Sequence, residues 1–315
     1  MLATTLSCRY APSRVETPSP VSKQIAREQA TSESSGEAVA VAVVDPAPAA
    51  SREPQPGPVD GGCISPVELQ EAAWDLANVR FRARSTEQLA ANGEALLDRA
   101  ARALRGYPDV AVTLRMRCDE RSAPMNPDVC ELKRGHHLRE ALIRRAVEPD
   151  RVHVLGAGDG RAIAGQGDRA GRAVNEITEV SLDPHVFDGS PPTCVTPLAL
   201  QQLQWQLRLL RFASDTTLAG HPDGALDRAA RVLSEHADVA VELRVYCDRS
   251  TASSERVAVA RRRGEHVREL LVRRGIAAER IHVAAGGDGK PVVASGTAEA
   301  RAVNERIEAV LVGLP

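Results

Sequence analysis

The strongest constraint on this chain is that it contains one pattern twice. "VAVTLRMRCDE" at Val110–Glu120 returns as "VAVELRVYCDR" at Val239–Arg249. "CISPVELQEAAWDLANVRF" (Cys63–Phe81) aligns with "CVTPLALQQLQWQLRLLRF" (Cys194–Phe212) at an offset of 131, which becomes 129 from Leu89 and Leu218 onward. "LDRAARAL" pairs with "LDRAARVL", "RVHVLGAGDG" with "RIHVAAGGDG", and "RAVNE" recurs unchanged. A solenoid would need several shorter units. One long unit repeated once is a duplicated domain, so whatever fold the chain adopts must be built twice.

Each copy reads in the same order. A strand around Val79–Phe81 (Leu210–Phe212) leads to a helix around Gly93–Leu104 (Ala225–Leu233), then to the β-branched strand Val110–Arg117 (Val239–Tyr246). A longer helix over about Val129–Ala146 (Glu255–Arg274) follows, with Pro127 before it in the first copy and Gly275 after it in the second. Strands at Arg151–Leu155 (Arg280–Ala284) and Glu176–Leu182 (Glu305–Val312) close each unit around a Gly-rich loop. The order β-α-β-α-β-β predicts an α+β class, a mixed αβ sandwich with helices on one face of a small mixed sheet.

The expected domains are residues 63–183 and 194–315, joined by a linker over 184–193. Residues 1–62 are rich in Ser, Pro, Ala, Glu and Gly ("APSRVETPSP", "PAPAASREPQPGPVDGG"). Such a composition buries too little apolar surface to offset its ordering entropy and reads as a disordered tether. "MLATTLSC" ends in Leu6-Ser7-Cys8, like the tail of a bacterial lipoprotein signal in which Cys8 is lipidated, although no basic segment precedes it.

Composition narrows the function classes. A net charge of −2 provides no field to gather polyanions, and aromatics make up 3% of the chain, leaving few platforms on which bases could stack. Nucleic acid is therefore not an expected partner; the basic stretch "ARRRGEHVRELLVRRG" is interrupted by Glu265 and Glu269 and reads as a solvated helix face. No apolar run reaches the ~18 residues needed to cross a bilayer. No nucleophile–base pair, paired-carboxylate spacing or metal-ligand cluster supports catalysis, and adjacent His136 and His137 point to different faces of their helix. "GAGDG" and "GGDG" carry an acid where a phosphate would sit, so they read as turns between strands. No enzyme, metal or cofactor is expected.

The residues that stand out are an Asp at the end of each central strand and an Arg fifteen positions later: Asp119 with Arg134, and Asp248 with Arg263. Cys130, Arg134, Leu138 and Leu142 fall four apart, as do Val259, Arg263, Val267 and Leu271, so each Arg lies in an apolar helical stripe and needs a partner. The Asp ending the neighbouring strand is the expected one. On these residues alone, a structural salt bridge and a ligand-binding pair both remain open.

These elements resemble the OmpA-like peptidoglycan-binding domain, found in outer-membrane protein A tails and peptidoglycan-associated lipoproteins. Its signature Asp matches Asp119 and Asp248, and its helix Arg matches Arg134 and Arg263. "GAGD" (Gly156–Asp159) and "GDGKP" (through Pro291) match its Gly-x-Gly-acid element, and "GRAVNE" and "ARAVNERIE" match its closing Arg-Ala-x-Asn-Arg-Arg-Val-Glu. The copies depart from the family where Gly-His-Thr before the Asp is Met116-Arg117-Cys118 and Val245-Tyr246-Cys247. The Asn expected eight residues after the Asp is Pro127 and Arg256, and the Ala after the Arg is Gly135 and Gly264.

The resemblance implies tandem OmpA-like domains and a ligand, the free end of diaminopimelate in the peptidoglycan stem peptide, that carries an ammonium and a carboxylate on one carbon. A carboxylate facing the ammonium and a guanidinium forked onto the carboxylate read both charges at once. The implied protein is a non-catalytic peptidoglycan-binding protein of the periplasm, associated with the outer membrane if Cys8 carries lipid. The alternative is an envelope scaffold that has lost the ligand and binds envelope proteins. Because Cys63 and Cys118 correspond to Cys194 and Cys247, one disulfide per copy is expected, Cys63–Cys118 and Cys194–Cys247.

Overall fold

Val110–Met116 (β1) and Val239–Tyr246 (β4) are apolar, β-branched runs, and such runs suit a strand covered on both faces. Each is the central strand of a three-stranded sheet in the computed structural model, which describes residues 63–119, 125–156, 169–185, 193–248, 254–287 and 289–314. β1 pairs in parallel with Val152–Gly156 (β2) and antiparallel with Thr178–Pro184 (β3). In the second repeat β4 lies likewise between Ile281–Gly287 (β5) and Arg306–Gly313 (β6). Parallel neighbours require a crossover, and Pro127–Ile143 (α3) and Arg256–Val272 (α7) provide it.

Helix α3 begins with Pro127 itself, whose fixed φ suits the first helical position. Asn126 caps it by accepting from Asp128 N at 2.9 Å. Gly93–Gly106 (α2) and Asp223–Glu235 (α6) turn one apolar face inward, Leu96, Leu97, Ala100, Ala101 and Leu104 in the first copy. Leu, Val and Ala make up most of each core.

Two parts of the expected order differ. The strands foreseen at Val79–Phe81 and Leu210–Phe212 shrink to single bridges, Phe81 with Leu89 and Phe212 with Leu218. The residues before them form helices Val67–Asn78 (α1) and Leu198–Arg208 (α5), because Leu69, Ala72 and Leu76 recur at helical rather than alternating spacing. A short helix also precedes each last strand, Arg169–Asn175 (α4) and Ala298–Asn304 (α8). Seven residues are too few for a period to show in sequence.

Both repeats fall within one compact unit, and α1 and α5 join them. The contacts are reciprocal between equivalent residues. Ser65 N donates to Thr196 Oγ1 at 2.9 Å, and Thr196 N donates to Ser65 Oγ at 2.8 Å. Gln70 on α1 bonds both backbone groups of Leu311 on β6 (2.9 and 2.8 Å), and Gln201 on α5 does the same to Leu182 on β3 (both 2.8 Å). Each glutamine amide thus completes the outer strand of the other repeat, where unpaired backbone would otherwise be exposed. Helices α4 and α8 also pack against each other. The two repeats are arranged as the halves of a pseudo-twofold dimer held in one chain.

The cysteine pairing is a correction to the expected Cys63–Cys118 and Cys194–Cys247. Cys63 is bonded to Cys194, with Cα atoms 5.6 Å apart, because the starts of α1 and α5 meet at the pseudo-twofold axis. Cys118 is bonded to Cys130 in the first turn of α3, at a Cα separation of 6.3 Å. The counterpart of Cys130 is Val259, so Cys247 remains a buried thiol. Cys8 and the family-like acids Asp159 and Asp288 lie outside the described residues.

Candidate functional site

The crossover topology brings four side chains of each repeat to the C-terminal end of the central strand. Asp119 and Asp248 follow β1 and β4, Arg134 and Arg263 come from α3 and α7, and Asn175–Glu176 and Asn304–Glu305 end α4 and α8. The Asp and Arg residues are buried; Arg134 is 2% exposed and Arg263 7%.

The expected direct Asp–Arg partnership is not the one found. Among the described residues, Arg134 Nη1 is paired with Glu176 Oε2 at 3.3 Å, and Arg263 Nη1 with Glu305 Oε2 at 3.2 Å. Each guanidinium also lies over the ring of the bridging phenylalanine, Phe81 or Phe212, 5.0 Å from its centre. Arg134 Nε donates to Ser85 O at 3.0 Å. The pairing with Glu leaves donors unused: Arg134 Nη2 and Arg263 Nε are buried with no hydrogen-bond partner among the described residues. Buried guanidinium nitrogens of this kind are costly unless another acceptor reaches them.

Asp248 Oδ2 accepts from Asn304 Nδ2 at 2.7 Å. The same amide fastens the preceding loop, donating to Val293 O at 3.0 Å while its Oδ1 accepts from Val292 N at 2.8 Å. Asn304 therefore fixes the end of α8, the 292–293 backbone and the Asp carboxylate together. Cys247 Sγ lies 3.9 Å from Arg263 Nη1, and burial pushes this thiol above its ordinary pKa.

Asn175, Glu176, Asn304 and Glu305 were not singled out as site residues by sequence reasoning. The signal was present: "RAVNE" is identical in both copies, whereas the turns after each Asp share almost nothing.

Residues 212–305 match the model of the OmpA family. The chain is 29% identical over 99 residues to Probable lipoprotein YiaD of Escherichia coli, a match covering 31% of this chain and 45% of that protein, so it spans about half of the relative's length. Among solved structures, the peptidoglycan-associated lipoprotein from Burkholderia pseudomallei overlaps at 22% identity, covering 32% of this chain and 86% of that one with a TM-score of 0.30. The C-terminal domain of Helicobacter pylori MotB overlaps at 18% identity, covering 35% and 84% with a TM-score of 0.31.

Proposed function

We propose, starting from the match of residues 212–305 to the OmpA family, that this chain is a non-catalytic envelope protein that holds peptidoglycan through its stem peptides. Each repeat offers one site, Asp119/Arg134 in the first and Asp248/Arg263 in the second. The observation that carries this reading is the twice-built cluster of Asp, Arg, Asn and Glu on equivalent elements, reached through dissimilar turns. The lipoprotein name of the E. coli relative supports a place in the periplasm with a lipid anchor at Cys8.

The two clusters flank the contact between α4 and α8, so neither can move far without the other. Two weak sites held in this way raise overall retention about 10²- to 10⁴-fold when both are engaged. The test is co-sedimentation with purified sacculi of wild type, Asp119→Ala/Arg134→Ala, Asp248→Ala/Arg263→Ala and the quadruple variant, each checked for folding. Wild type should pellet, each double variant should pellet less, and the quadruple variant should stay in the supernatant.

A second reading has its own observation. The arginines are buried and already paired with internal carboxylates, as they would be in an envelope scaffold that binds other proteins. Wild type remaining in the supernatant decides for it.

A further inference from the structure

In a site that reads a zwitterionic end, the guanidinium must be available to the ligand's carboxylate. Here an internal carboxylate already holds that guanidinium, in both repeats and at nearly the same distance: Glu176 on Arg134 at 3.3 Å and Glu305 on Arg263 at 3.2 Å. The family-like closing element carries Arg immediately after the Asn, and this chain carries Glu in both copies. Such a substitution adds a negative charge facing the position where a ligand carboxylate would approach.

The consequence follows from charge. Glu305 already neutralises the Arg263 guanidinium at 3.2 Å, so an incoming ligand carboxylate meets no uncompensated positive charge there. Asp248 is held by Asn304 beside this pair, and in the peptidoglycan reading its carboxylate is the group assigned to the ligand's ammonium. In the first repeat Arg80 also lies within electrostatic reach of Glu176. The unused donors Arg134 Nη2 and Arg263 Nε show that the Glu contact does not saturate either guanidinium.

We infer that Glu176 and Glu305 are specificity-determining residues that occupy the arginine's carboxylate position. Each site then favours a stem-peptide end that carries an ammonium beside an amidated, uncharged carboxyl group over the same end with its carboxylate intact. The inference rests on the peptidoglycan reading above and specifies which form of the ligand it takes. An intact carboxylate must first displace the Glu and meets its repulsion while doing so.

The experiment is isothermal titration calorimetry of the 315-residue chain with two synthetic stem peptides ending in diaminopimelate. In one the carboxylate beside the free amine is intact, and in the other it is amidated. Wild type should bind the amidated peptide more tightly. Glu176→Gln/Glu305→Gln keeps the shape and an oxygen for the arginine but removes the charge; it should gain about tenfold for the intact peptide, the scale of one charge-assisted hydrogen bond, and reverse the preference. Glu176→Asp/Glu305→Asp retracts the charge by one methylene and should fall between, with melting curves confirming that every variant folds. A preference for the intact peptide in wild type, or a ratio unchanged by the Gln pair, overturns the inference and leaves the Asp/Arg reading standing. If neither peptide binds wild type or the folded Gln variant, both fall together.

Discussion

Gly264 immediately follows the site arginine and faces the sheet, which makes it the most direct test of how α7 is seated. A Cβ added there would lie 2.3 Å from Val283 Cγ1 on β5 and 3.2 Å from Val245 Cγ2 on β4. The equivalent Gly135 repeats the geometry, 2.3 Å from Val154 Cγ1. Gly264→Ala should gain about 1 kcal/mol from helix propensity, but overpacking in a close-packed core costs about 1–3 kcal/mol. A 2.3 Å contact cannot be absorbed by a few tenths of an ångström, so the upper part of that range applies and the net effect is a loss of about 1–2 kcal/mol. At about 2–4 °C per kcal/mol for a unit of this size, the melting temperature should fall by several degrees. The cause is one valine, so a cycle isolates it. In a Val283→Ala background Gly264→Ala should change sign and stabilise, with a coupling of about 1–3 kcal/mol between the two positions. Thermal and urea unfolding of the four proteins provide the measurement. A stabilising Gly264→Ala in the otherwise native chain, or a coupling near zero, would refute the claim that glycine is present to let α7 approach the sheet.

Three other outcomes follow from the same structure. Cys63→Ser/Cys194→Ser should lower stability by about 4–5 kcal/mol on the chain-entropy model for so long a loop, and non-reducing peptide mapping should recover a 63–194 crosslink; a 63–118 peptide would sink the assignment. Ala146 (φ 60°) ends its helix in the left-handed conformation that Gly275 (φ 91°) adopts in the other repeat, so Ala146→Gly should stabilise by about 1 kcal/mol in urea titrations. Burial alone would raise the Glu308 carboxyl, but Arg306 and Arg208 outweigh it and hold its pKa below the ordinary value. A depressed folded pKa gives stability that is present above the unfolded value and lost as pH falls through the folded one, so the advantage of wild type over Glu308→Gln should vanish on acidification; a pH-independent difference would contradict this.

The fold was legible where the sequence carries a period or a repeat. The central strands, the crossover helices and the register between copies could be read because β-branched runs and four-residue apolar stripes are local properties. The junction could not. Gln70 and Gln201 look like ordinary polar helix residues, and only the placement of β6 and β3 shows that each binds the backbone of the other repeat. Cys63–Cys194 was missed for the same reason, since pairing by copy ignores an axis that brings the two copies of one position together, and Cys118 pairs instead with Cys130, which has no cysteine counterpart in the second copy. At the site, the Asp and Arg were legible as charges in apolar settings. Their partners were not, because Glu176 and Glu305 follow a helix too short to recognise and act across the fold.

A pseudo-twofold axis places equivalent side chains close together, and for like charges this carries a cost. Arg80 and Arg211 occupy equivalent positions in the two copies and fold back onto Ala77 O of α1 and Arg208 O of α5, where the negative ends of those helices receive them. Burial and then the Arg211 charge depress Arg80 to about 9, while burial and then Arg306 depress Arg211 to about 10. A homodimer would have to answer that strain identically on both sides. A fused chain need not be symmetric, and in this one the neighbouring charges Arg208 and Arg306 meet a carboxylate that the other side does not offer to equivalent residues. Asn78 donates to Glu308 at 2.8 Å and accepts from Arg208 at 2.7 Å, and Arg306 donates to the same Glu308 at 2.8 Å. Their counterparts are Leu209, Ala77 and Ile177, apart from Glu179, which matches Glu308. The carboxylate network therefore exists once, at the second repeat's last strand, directly after the Asn304–Glu305 corner of its site. Duplication built the two candidate sites alike, and it is this one-sided network that makes their surroundings differ.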